Sequence, residues 1–161
     1  MQIHLFSDLE GIRIAAEIER RGGDFYRRAA RISRADEARS VLSALASDEE
    51  THLREFQRLY EREAANSQSV AYDPETSAYL SAIAADIVFS DGLIGLSKSD
   101  GLESPRAILE HSIQSEKDSI LFYVEMTEAT RDEHTKTVFK DIIRQEKMHL
   151  ERLQRMLSEL D

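Results

Sequence analysis

Two Glu-x-x-His quartets, Glu49 to His52 and Glu146 to His149, are the residues of this 161-residue chain best spaced to do chemistry. Each quartet is preceded, 30 residues upstream, by one more glutamate, Glu19 and Glu116. Residues three apart share a helix face, so the glutamate and histidine of each quartet project together. Four carboxylates and two imidazoles brought to one level would repel one another and resist burial. Two divalent cations, with four positive charges, would neutralise them. The alternative is that these polar residues face solvent, and the surrounding sequence decides between the two.

The elements that must hold these side chains are four long segments with apolar residues at helical spacing, predicted over 7–31, 37–65, 104–130 and 133–160. Glu19 lies inside the stripe Leu9, Ile12, Ala16, Gly23, Tyr26 and Ala30. Glu49 and His52 interrupt Val41, Leu45, Leu53, Phe56 and Tyr60. Glu116 interrupts Ile108, Leu109, Ile113, Ile120 and Tyr123, while Glu146 and His149 interrupt Val138, Ile142, Leu150, Leu153 and Leu157. No lysine or arginine falls on those stripes to compensate, which favours ligands over a solvated face. Ser7 with Glu10 reads as a capping box, and Ser104-Pro105 as a helix start.

The chain also repeats. Displaced by 97 residues it aligns on itself without a gap: Glu19 on Glu116, Phe25-Tyr26 on Phe122-Tyr123, Glu49 on Glu146, His52 on His149. The expected fold is therefore all-α: a four-helix bundle of two duplicated helical hairpins in a single domain over 1–161. Hairpin one spans 7–65 and hairpin two 104–160. The crossover, 67–103, has a helix start at Asp73-Pro74-Glu75, a short apolar helix over 78–89 and a glycine-containing loop over 90–101. Its length lets it run back along the bundle, making the second and third long helices parallel neighbours or diagonal partners.

A net charge of −10 argues against nucleic acid or an anionic membrane as partner. The absence of cysteine excludes disulfides and thiolate sites. Residues 1–11 carry no basic stretch followed by an apolar run, and no window reaches the length of a membrane span, so the expected location is cytoplasmic.

Together the strings Glu19-Arg-Arg-Gly-Gly-Asp-Phe-Tyr26, Leu45-Ala-Ser-Asp-Glu-Glu-Thr-His52, Glu116-Lys-Asp-Ser-Ile-Leu-Phe-Tyr123 and Glu146-Lys-Met-His149 resemble the rubrerythrin-like branch of the ferritin superfamily, over essentially the whole chain. The resemblance implies a ferritin-like bundle holding two metal ions. Glu49 and Glu146 would bridge them, Glu19 and Glu116 would be terminal carboxylates, and His52 and His149 would each cap one ion. Oxygen-rich ligation with one imidazole per ion suits iron, with manganese or zinc chemically compatible. Rubrerythrins also carry a cysteine-ligated rubredoxin iron, for which this chain has no ligands, and an extra glutamate where Ser119 stands here. The implied activity is reduction of hydrogen peroxide, or reaction with dioxygen, fed by an external electron-donor protein, in a homodimer. Iron binding or ferroxidase action without peroxidase turnover, and a helical module with a structural metal, are the other readings.

Around the ligands, Tyr26 and Tyr123 stand two turns beyond Glu19 and Glu116. Each is a candidate catalytic group, donating a hydrogen bond to a ligand carboxylate or a proton during peroxide cleavage, or else an ordinary core residue. Asp48 shares a face with His52 and is a candidate to orient a histidine ring; its repeat counterpart is Gln145, which breaks the symmetry. His4, His111 and His134 lack glutamate companions and are expected at the surface.

Overall fold

The computed structural model describes residues 5–66, 70–88 and 104–160. Five helices make up the described chain: α1, Asp8–Ile32; α2, Asp36–Ala65; α3, Pro74–Val88; α4, Pro105–Ala129; and α5, Glu133–Ser158. Among the described residues none is long and apolar enough to cross a membrane.

The duplication is visible in how the helices begin. α1 and α4 are each 25 residues long and each follows a serine cap. The Ser7 hydroxyl accepts from the Glu10 N–H at 3.3 Å and the Ser104 hydroxyl from the Ala107 N–H at 3.4 Å. α5 is capped by Asp132, which accepts from the Thr135 N–H at 2.9 Å. α3 starts where Asp73-Pro74-Glu75 predicts, four residues ahead of the apolar run: Asp73 accepts from the Thr76 N–H at 2.8 Å and caps a helix opened by Pro74. The predicted loop over 90–101 lies outside the described residues, as does His4.

α1 packs along α2 and α4 along α5, and the two hairpins meet through α1 against α4 and α2 against α5. That ring of neighbours leaves α2 and α4 as diagonal partners, settling the choice the sequence left open. α3 lies against α4 and α1. The N-terminal part of α1 (Ile12) shares a core with the C-terminal part of α4 (Met126), and the end of α1 (Ala29) shares one with the start of α4 (Ile108). The hairpins are therefore antiparallel to each other.

The core is divided in two. One apolar cluster gathers Ile12, Phe56, Phe122, Tyr123, Phe139 and Ile142, with Leu80 and Ile87 of α3. The other gathers Phe25, Tyr26, Leu42, Leu45, Leu109 and Leu153. Between them lies the level of the six polar residues, so both ends of that level are sealed by hydrocarbon. The first seal is aromatic: the Phe56, Tyr123 and Phe139 rings sit 5.1 to 5.6 Å apart, centroid to centroid.

Two expectations fail in detail. Tyr60 is 37% exposed, and Leu59 takes its place in the core, because three residues beyond Phe56 keeps the buried face of α2 in line where four does not. His111 is half-buried: its ring lies 5.2 Å from that of Phe25, and its buried Nε2 finds no hydrogen-bond partner among the described residues. Packing between α1 and α4 covers it, which a search for companion glutamates could not reveal. His134 is exposed as expected.

Candidate metal centre

The apolar stripes turn all six predicted ligands inward. Glu19, Glu49, His52, Glu116, Glu146 and His149 are each 0% to 6% exposed. Single ligand atoms from Glu19, Glu49, His52 and Glu146 lie within 4.8 Å of one another, and so do atoms from Glu49, Glu116, Glu146 and His149. Each set could hold one cation, and Glu49 and Glu146 belong to both. The two imidazoles stack with centroids 5.8 Å apart.

Each histidine turns Nδ1 towards carboxylates. His52 Nδ1 is 3.0 Å from Glu146 Oε1 and 3.5 Å from Glu19 Oε2. His149 Nδ1 is 3.1 Å from Glu146 Oε2, 3.4 Å from Glu49 Oε1 and 3.7 Å from Glu116 Oε1. The opposite nitrogens meet acceptors on the other hairpin: His52 Nε2 is 2.8 Å from Gln145 Oε1, and His149 Nε2 is 3.0 Å from Asp48 Oδ2. The Gln145 amide is oriented by its own NH2, which donates to the Asp141 carbonyl at 3.4 Å. An N–H is therefore required at each Nε2, which leaves the Nδ1 lone pair of a neutral ring facing anionic oxygens. Such a contact is repulsive unless a proton or a cation stands between.

The carboxylates show the same deficit. Glu19 Oε2 and Glu49 Oε1 are buried without a hydrogen-bond partner among the described residues. The tyrosines serve two of the others across the hairpins: Tyr26 OH donates to Glu116 Oε1 at 2.6 Å and Tyr123 OH to Glu19 Oε1 at 2.7 Å. Burial, followed by the surrounding carboxylates, pushes both phenols well above their ordinary value, so they stay protonated donors.

Without cations the box must hold protons. Burial and the charges of the other three glutamates push Glu49 well up. Burial, Glu116 and Glu19 do the same to Glu146. Burial alone would lower the histidines, but contacts with Glu146 and Glu19 raise His52 to about 11, and contacts with Glu116 and Glu146 raise His149 to about 10. Burial would raise Glu19, yet the Glu49 carboxyl and His52 outweigh it and hold it at about 2. The donor set, the sharing of two carboxylates and the orphaned oxygens fit a pair of hard divalent cations.

One contributor was not legible as a site residue. A Cβ on Gly22 would meet Glu49 Oε2 at 3.1 Å, so this glycine lets α1 approach a carboxylate common to both ligand sets. Its repeat counterpart is Ser119, whose hydroxyl donates to the Ser115 carbonyl at 2.9 Å.

Residues 107–161, which include Glu116, Glu146 and His149, match the Rubrerythrin family model. No curated protein matches the chain. Among solved structures it is similar to one from Thermotoga maritima, described as a ferritin-like diiron-carboxylate protein, at 25% identity and a TM-score of 0.75. The similarity covers 99% of this chain and 100% of that one. Residues 107–161 thus resemble the Rubrerythrin family, and the whole chain shares its helical fold with that ferritin-like protein, around a buried glutamate–histidine cluster that could hold two cations.

Proposed function

We propose that this protein holds two iron ions and uses them to reduce hydrogen peroxide, or to react with dioxygen, with electrons from a separate donor protein. Glu19, Glu49, His52 and Glu146 would hold one ion and Glu49, Glu116, Glu146 and His149 the other. The observation that carries the reading is the sharing of Glu49 and Glu146 between two cation-sized sets, with both Nδ1 lone pairs turned into the same box. When bound, the iron pair would supply the electrons and the Lewis acidity that O–O cleavage needs.

The chain's own groups have separable tasks. Apolar clusters on both sides keep bulk water from the carboxylates, which strengthens every electrostatic contact inside. Tyr26 and Tyr123 fix Glu116 and Glu19 by donating to one oxygen each, leaving the other oxygen of each for ligation. The phenolic protons sit at the rim of the box, where one could be passed to a departing oxygen and replaced. Peroxide reduction consumes two electrons and two protons per molecule, and the bundle offers two such phenols.

The test is anaerobic loading with iron(II), then stopped-flow mixing with peroxide or dioxygen. Two irons per chain and a rapid rise of visible absorbance with a stoichiometric oxidant are expected, and Glu49→Ala and Glu146→Ala should each abolish it. Two tightly held ions that stay silent to both oxidants would replace this reading with a structural metal.

A further inference from the structure

The six ligands and the two tyrosines match residue for residue between the halves, and the exchange of Gly22 for Ser119 stands beside Glu49, which both sets share, so what can set the two sets apart lies behind the histidines. Glu49 and Glu146 are common to both sets and cannot discriminate between them. Glu19 and Glu116 are the same residue type, each held by one tyrosine at nearly the same distance, 2.7 and 2.6 Å. The difference is at Asp48 and its repeat counterpart Gln145. Each reaches across to the other hairpin's ring, Asp48 Oδ2 to His149 Nε2 at 3.0 Å and Gln145 Oε1 to His52 Nε2 at 2.8 Å.

Both contacts put the ring proton on Nε2 and free Nδ1 for a cation. They are unequal in strength. A carboxylate draws the Nε2 proton more strongly than an amide oxygen does, moves electron density into the ring and makes Nδ1 the better donor. The Asp48 charge also adds attraction for any cation beside His149. We infer that Asp48 is a positioning residue that makes the set Glu49, Glu116, Glu146 and His149 the tighter of the two, filled first, and leaves the set around His52 as the weaker, more exchangeable one. The inference rests on the dinuclear reading but not on turnover with any oxidant. Because the Asp48 side chain is 53% exposed and screened, the expected preference is about tenfold, the low end for such partners.

Cobalt(II), which air oxidises reluctantly in such sites, is the probe. Crystals of the full chain grown with one equivalent of cobalt should show anomalous density mainly beside His149, and calorimetric titration should resolve two steps about tenfold apart. In Asp48→Asn an amide backs both rings, and in Gln145→Glu a carboxylate backs both. Each single variant should bring the two occupancies close to equal and merge the steps. The double variant, Asp48→Asn with Gln145→Glu, should move the cobalt to His52, a reversal that general loosening of the bundle would not produce. Equal occupancy in the unaltered chain, or a preference unmoved by the exchanges, overturns the inference and leaves the dinuclear centre intact. Binding of no cobalt at either position overturns the dinuclear reading and this inference with it.

Discussion

Stripping the ions should reverse the way stability depends on pH. The metal-free box holds protons, with His52 at about 11 and His149 at about 10 against an unfolded value of 6.5. Groups raised in the native state contribute a stability that is complete below 6.5 and is lost as the pH climbs towards 10 and 11. Between about pH 7.5 and 9 the native chain keeps two imidazole protons that the unfolded chain has released, a slope of about −2.7 kcal/mol per pH unit. For a domain of this size the melting temperature should fall by roughly 5 to 10 °C per pH unit. Glu49 and Glu146, also pushed up, act in the same sense. Glu19, held at about 2, contributes a stability complete above 4.5 and lost only as the pH falls towards 2, so it leaves this window untouched.

With ions bound the same protons become competitors, and loading strengthens as the pH rises. Calorimetric melting of the metal-free and ion-saturated chain across this window should therefore give slopes of opposite sign. His52→Gln should remove about half of the metal-free slope. A metal-free chain whose melting temperature is flat or rises with pH would refute the claim that protons stand in for cations in the box.

Three further outcomes follow from the geometry. Glu49→Gln should abolish binding of both ions because both sets use that carboxylate, whereas Glu19→Gln should spare the ion beside His149; metal-to-chain ratios after dialysis distinguish the two. Gly22→Ala places a methyl 3.1 Å from Glu49 Oε2, so ion affinity, read by titration with manganese(II), should drop by roughly tenfold while circular dichroism stays helical. Tyr26→Phe and Tyr123→Phe each remove the donor from one oxygen of a buried carboxylate, and denaturant unfolding of the loaded protein should report a loss of about 1–3 kcal/mol apiece.

The helices and the inward direction of the six polar residues were legible early, since both depend on local spacing. Glu19 within Ile12, Ala16 and Gly23 has one inward face available, and the structure buries it there. The 97-residue repeat carried more: it fixed the equivalence of α1 with α4, down to the serine caps at Ser7 and Ser104. Where periodicity drifts it misled, as at Tyr60, because an apolar residue four positions on and one three positions on fit the same stripe until packing chooses. His111 failed for a related reason: a helix face says how a side chain points, and burial depends on what the neighbouring helix brings to it.

The composition of the ligand set, its twofold repetition and the helices that carry it are thus properties of the chain read in order. Partnerships across the bundle are not. Asp48 shares a face with its own helix's His52, yet it meets His149; Tyr26 stands two turns from Glu19, yet it donates to Glu116. Side chains three, four or seven residues apart on one helix project in parallel, which sets them side by side, whereas contact at the level of the six buried polar residues is made by side chains pointing at one another from opposite hairpins. Which side chains meet there depends on the antiparallel docking of the two hairpins, and that is fixed by the packing of the apolar clusters above and below the box.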